Sequence, residues 1–249
     1  MTYPLAIQLY TLRHVSDDLG ELVRISAEAG YAGVEGGYGP GLEAEELRDV
    51  LAEHGVKMVS AHVALDALET NLEDAVRYQK TLGNDTIILP WLDKSLFSDT
   101  RESWEALAKR LTPIAEKLQD KGMTFLYHNH SFEFDKYEED LALEVLLDNT
   151  PSMGLELDIG WCQEGGVDPL MLLEKYSGQV SRIHVKDRAP EGQNVDQGGW
   201  ADVGDGVIDW GPILKAAQGA GCDWFIVEHD EPADPLQTAK RSFDYLSKL

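Results

Sequence analysis

The chain has 249 residues, which suits one α/β barrel of about 250 residues or two small domains. Its 45 Asp plus Glu outnumber 21 Lys plus Arg, and the formal net charge of -24 repels phosphate backbones and anionic bilayers. Nucleic-acid and membrane partners are therefore not expected, and no run of 18 apolar residues suggests a membrane-spanning helix.

In chain order, short apolar runs alternate with amphipathic helical patterns. A strand is expected at Leu5–Leu9 and a helix at Leu19–Ala29. Strand Gly33–Glu35 precedes helix Ala44–His54, and Met58–Ala61 precedes Leu68–Leu82. Thr86–Leu89 leads to Ser103–Lys121, and Thr124–His128 to Leu141–Asn149. Gly154–Asp158 leads to Asp168–Tyr176, Val180–His184 to Gly211–Ala220, and Trp224–Glu228 to Pro235–Leu249. Five helix-to-strand joints repeat one pattern, with Gly30, Gly55, Gly83, Gly122 and Gly221 just past a helix, where positive φ carries no Cβ penalty.

Eight β/α units in one series, with no Pro/Gly/Ser-rich linker, predict a single-domain (β/α)8 TIM barrel over residues 1–249. An open doubly wound sheet is disfavoured, because Gln8-Leu9-Tyr10-Thr11-Leu12-Arg13 after the first strand holds no glycine for a phosphate loop. No Walker A pattern is present either. Cys162 and Cys222 form neither a metal spacing nor a disulfide framework. The N-terminal stretch lacks a basic start and a long apolar core, so a cytoplasmic location is expected. Assembly into a homo-oligomer is left open.

Barrel enzymes carry their active sites at the C-terminal ends of the strands. There this sequence places Glu35, His62, His128 with His130, Asp158, His184 with Lys186, and Glu228 with His229. Five of the seven histidines fall at or just past a strand end. His128, Asp158, His184 and Glu228, from strands five to eight, make a candidate ligand set for one divalent metal. Two imidazoles and two carboxylates suit Mn, Co, Zn or Fe better than Mg. The alternative is that each polar residue merely caps a strand or pairs with a neighbour.

Residues two apart on a strand share a face, which places Glu156 below Asp158 and Arg182 below His184. These two are expected to form a buried ion pair. Glu133 is a candidate ligand, base or orienter of His130, or a solvated loop carboxylate. Tyr10, Tyr38, Trp91, Trp161 and Trp200 lie near the same openings and together fit a small polar substrate with apolar faces.

The chain resembles the sugar phosphate isomerase/epimerase family, the xylose isomerase-like TIM barrels, over nearly its whole length. The resemblance rests on Ala6-Ile7-Gln8-Leu9-Tyr10-Thr11-Leu12-Arg13, Gly33-Val34-Glu35 and Tyr127-His128-Asn129-His130-Ser131-Phe132-Glu133-Phe134. It continues through Leu157-Asp158-Ile159-Gly160-Trp161, Ile183-His184-Val185-Lys186-Asp187, Val203-Gly204-Asp205-Gly206-Val207-Ile208-Asp209-Trp210 and Val227-Glu228. It implies a metal held by Glu, Asp, His and Glu at strands five to eight. Asp158, His184 and Glu228 match, while His128 stands where the first Glu belongs. Ketose epimerases of this family use two such glutamates as an acid/base pair, of which only Glu228 is present. Trp161 replaces the His those enzymes carry three residues after the Asp. The His-Asn-His form is closer to inosose dehydratase-like proteins.

The expected chemistry is removal of a proton beside a carbonyl of a sugar or keto-polyol. Glu228 is the first candidate base, His130 or Glu133 the second, and Lys186 a candidate oxyanion partner. Gln8, Tyr10, Glu35, His62 and Trp161 are candidate substrate contacts. The first expectation is a metal-dependent isomerase or epimerase working through an enediolate, with an inosose dehydratase-like lyase on the same site as the alternative; all share this enolisation step. The rivals are an endonuclease IV-like repair enzyme, which the charge disfavours, and a metal-free sugar-binding protein.

Overall fold

A computed structural model describes residues 3–38 and 41–249. Eight parallel strands close into a barrel: β1 (Leu5–Gln8), β2 (Gly33–Gly37), β3 (Lys57–His62), β4 (Thr86–Leu89), β5 (Thr124–His128), β6 (Gly154–Asp158), β7 (Val180–Val185) and β8 (Trp224–Val227). Each strand pairs with its sequence neighbours, and β8 closes on β1 with Leu5 opposite Phe225. The barrel rather than the open sheet is therefore the fold, as the eight repeated units predict.

The helices form an outer layer: α1 (Leu19–Ala29), α2 (Ala44–His54), α3 (Leu65–Thr70), α4 (Leu72–Thr81), α5 (Arg101–Asp120), α6 (Ala142–Asp148), α7 (Ile159–Glu164), α8 (Pro169–Lys175), α9 (Trp210–Ala220) and α10 (Pro235–Leu246). The helix expected at Leu68–Leu82 is two helices that break at Asn71. Start signals act locally. Asp168 and Asp234 accept hydrogen bonds from Leu170 N and Gln237 N, each with a proline at the first helical position. All five joint glycines adopt positive φ. At Gly30 a Cβ would also lie 2.5 Å from the Phe243 ring, so only glycine lets α10 pack over the end of α1.

The apolar core lies between strands and helices, with Trp104, Trp210, Phe125 and Phe225 among its largest buried side chains. Inside the barrel, Ala6, Val59 and Ile226 form a small apolar floor. Two residues further along their strands come Gln8 and Glu228, and the functional layer begins.

The long stretch after β7 is held by one carboxylate. Buried Asp187 accepts the backbone N–H groups of Arg188 and Ile208 on Oδ1, and those of Gly204 and the Trp210 indole on Oδ2. A short antiparallel pairing of Asp187–Arg188 with Trp200–Ala201 completes the anchor. This brings Trp200 against Trp161, with ring centroids 4.7 Å apart.

Candidate active site

The strand ends bring His128, Asp158, His184 and Glu228 together, with one donor atom from each lying within 4.8 Å of the others. All four are buried. Asp158 Oδ2 lies 3.9 Å from His128 Nε2 and 3.7 Å from His184 Nδ1, and Glu228 Oε2 lies 3.1 Å from His184 Nδ1. Donors held about 2.1 Å from a common centre stand about 3.4 Å apart in a tetrahedron, so this spacing suits a transition-metal ion. Among the described residues Asp158 Oδ2 is buried without a hydrogen-bond partner, although its other oxygen caps α7 through Trp161 N at 2.8 Å. A buried orphan acceptor among three further donor groups is the arrangement a cation satisfies.

Beneath this rim lies a second layer of carboxylates. Glu156 Oε2 is 3.0 Å from His128 Nδ1, and Glu35 Oε1 is 2.7 Å from His184 Nε2. Each imidazole thus has one nitrogen on a deep carboxylate and the other toward the rim. That fixes the tautomer which leaves His128 Nε2 and His184 Nδ1 free to ligate. His62 bridges the two acids, with Nε2 at 3.0 Å from Glu35 and 3.1 Å from Glu156. Gln8 Nε2 and the Ser60 hydroxyl also donate to Glu35.

The expected Glu156–Arg182 ion pair is not formed. The two residues are register partners on β6 and β7, yet Arg182 turns to the Val59 carbonyl at 2.8 Å and to Asp223 at 3.1 Å. Glu156 instead turns upward beneath three imidazoles, which supply closer donors. Its place in the site is what the sequence reading missed. The signal was present: an acid two residues before Asp158 faces the same interior.

Burial and neighbouring charges set the protonation of the wall. Burial pushes Asp158 up to about 7 against the pull of Lys186 and His184. Burial also pushes His130 down to about 3, aided by Lys186, so its imidazole is neutral. For Lys186 burial opposes the charge, but Glu228, Asp158 and Asp230 outweigh it and hold the ammonium charged. Lys186 Nζ lies 3.1 Å from Glu228 and 2.6 Å from Asp230, within 5 Å of the Trp161 and Trp200 ring centres.

A cavity of about 560 Å³ opens over this layer. Gln8, Tyr10, His62, His128, His130 and Lys186 line it, together with Glu228. Glu35 lies below it, fully buried. Trp161 packs beside it against His130, with ring centroids 5.1 Å apart. Glu133 does not join the ligand cluster. Its carboxylate accepts the Tyr127 hydroxyl and the His130 backbone N–H, so it holds the His130 segment through the main chain rather than through the ring. Asp230 and Arg13, absent from the expected set, also line the cavity.

Residues 23–249 match the family described as the xylose isomerase-like TIM barrel. The chain belongs to that family. A curated relative, the inosose dehydratase of Lacticaseibacillus casei, is 30% identical over 62% of this chain. The match spans only 59% of that relative's own length. A solved sugar phosphate isomerase/epimerase from Parabacteroides distasonis shares the fold with a TM-score of 0.81 at 20% identity, covering 99% of this chain and 94% of that one. The IOLI protein, solved with a binding zinc atom, superposes with a TM-score of 0.75 at 18% identity over 100% of this chain and 98% of its own. No helix among the described residues is long and apolar enough to cross a membrane.

Proposed function

We propose that this family member is a divalent-metal-dependent enzyme that enolises a sugar or keto-polyol, with dehydration as its favoured outcome. One observation carries the choice: a neutral imidazole outside the metal-holding set, His130, stands on the cavity wall beside the charged ammonium of Lys186. His128, Asp158, His184 and Glu228 would hold the metal, oriented from below by Glu156 and Glu35. A bound divalent cation supplies a Lewis acid for the substrate's carbonyl and hydroxyl oxygens.

The chain's own groups do the rest. His130 takes the proton from the carbon beside the carbonyl, and the electron pair forms the enolate. The same imidazolium then gives that proton to the departing β-hydroxyl on the same face, releasing water and leaving an enone. Lys186 donates a hydrogen bond to developing negative oxygen. Glu228 is a weaker candidate base, because Lys186 and His184 outweigh its burial and hold it anionic and well below the usual carboxylate range. The similar Lacticaseibacillus casei protein is an inosose dehydratase, which favours the same outcome. Isomerisation by proton return to the neighbouring carbon is the second reading, and it uses the same imidazole. Epimerisation would need an acid/base group on each face of the substrate.

The experiment is incubation of metal-loaded protein with ketoses and inososes in deuterium oxide. Deuterium at the carbon beside the carbonyl, with enone absorbance, is expected. His130→Ala should lose both while keeping its metal. Absence of both enone formation and deuterium exchange with every substrate of either class sinks the reading.

A further inference from the structure

The cavity has two parts of different chemistry. Its inner floor is polar, formed by Gln8, His62, His128, His130, Lys186 and Glu228. Its outer part is lined by Leu9, Tyr10, Leu19, Leu22, Pro90 and Trp91. Tyr10 is 50% exposed and Trp91 49% exposed. Single exposed apolar residues need no explanation, but two large half-exposed aromatics bordering one cavity that also has a polar floor do.

Tyr10 is also fixed in place. Its backbone N–H donates to Gln8 Oε1 at 3.0 Å, which ties it to the same side chain that reaches Glu35 in the floor. The Arg13 guanidinium lies 3.8 Å from the centre of the Tyr10 ring and is tethered by the Tyr10 carbonyl and Glu231. A ring held by its own backbone and by a stacked cation keeps its exposed area without ordering cost, as a binding surface requires. Gly37 borders the same cavity, and a Cβ there would meet no atom of the described residues within 4 Å. The whole cavity, about 560 Å³, lies within the roughly 300–1,000 Å³ that hold drug-sized ligands, larger than one six-carbon ring.

We propose that the substrate is a glycoside: its first ring sits over the polar floor, and its second ring lies against Tyr10 and Trp91. This rests on the polyol reading of the floor and deepens it. The shared requirement is a second ring with an apolar face. Arg13, Ser16 and Asp17 border the same outer part and offer partners for hydroxyls, which favours a sugar over an aryl group as that ring.

The test is calorimetric binding of glucose, cellobiose and phenyl β-glucoside to the metal-loaded protein. At least one two-ring ligand should bind ten times more tightly than glucose, equivalent to ~1.4 kcal/mol. Trp91→Ala should bring that ratio to about one, and Trp91→Phe should restore most of it. Trp91 is half exposed, so its replacement leaves the core intact. Preference for cellobiose makes the second ring a sugar, and preference for the phenyl glucoside makes it an aryl group; either supports the proposal. Equal affinities, a preference that survives Trp91→Ala, or binding of none of the three overturns it. The same titrations on metal-stripped protein separate the two readings. If glucose binding and the two-ring preference are both unchanged there, the metal-bearing floor fails as a sugar site while the outer subsite stands.

Discussion

The two halves of the barrel mouth deliver different things. Strands β5 to β8 carry, at or just past their ends, His128, Asp158, His184 and Glu228, whose donor atoms crowd within 4.8 Å. Strands β1 to β4 end in or lead to Gln8, Gly37, His62 and Trp91, with their carboxylate, Glu35, sunk below the cavity. One half concentrates charge, and the other supplies shape and support. In barrels the loops and strand ends vary independently of the core, so chemistry and grip can sit on separate arcs of one rim.

The sharpest way to break this division is Asp158→Asn. The amide oxygen can still accept from Trp161 N and cap α7, but the orphan acceptor becomes a donor. Metal content of protein purified without chelator should fall below about a tenth of the wild-type value. The melting temperature in chelator should change little. Gln8→Ala, on the opposite arc, should retain its metal, and equal loss in both variants would erase the distinction.

A smaller effect is expected one layer down. Glu156→Gln keeps the shape but weakens the acceptor that orients His128. Metal affinity in a chelator competition should drop roughly 10–100-fold, as for other carboxylates behind ligating histidines. An unchanged affinity would mean that the deep layer is structural only.

The effect furthest from the rim concerns Glu133, which stands outside the ligand cluster. Burial pushes its carboxyl up to about 7, against the hydrogen bonds from Tyr127 and His130. A folded-state value above the unfolded one makes the stabilisation complete below about pH 4.3, and it is lost as pH rises through about 7. Glu133→Gln removes that titration. The stability difference between wild type and variant, from urea unfolding of metal-free protein at pH 4.5 and pH 8, should change by roughly 2–3 kcal/mol in the variant's favour at pH 8. A pH-independent difference would place Glu133 in an ordinary ionised state.

The architecture was legible because the signals that set it are local. A glycine past each of five helices needs positive φ wherever it lies, and a short apolar run between amphipathic helices has few other homes. The four rim residues were legible for a related reason: the end of a strand in this fold is also the mouth. Partners across the barrel were not. Glu35 meets His184 across 149 positions, and nothing on β2 announces it. Glu156 was paired with Arg182 because adjacency in register was the available guide. In the folded chain a long guanidinium could choose a backbone carbonyl 123 positions away instead. The sequence leaves four roles open for Glu133, and its contact with the Tyr127 hydroxyl is one that only packing brings about.

The Asp187 anchor has a consequence for how such a chain can change. A single carboxylate collects donors from residues 188, 204, 208 and 210, and Gly206 approaches it so closely that a Cβ would lie 2.1 Å from its oxygen. The stretch between, residues 190–198, is mostly exposed and carries none of those four donors. It behaves as a handle clipped at its base: its sequence can drift or be replaced while the clip keeps Lys186 in register with the barrel. New rim contacts can thus be tried there without rebuilding the scaffold.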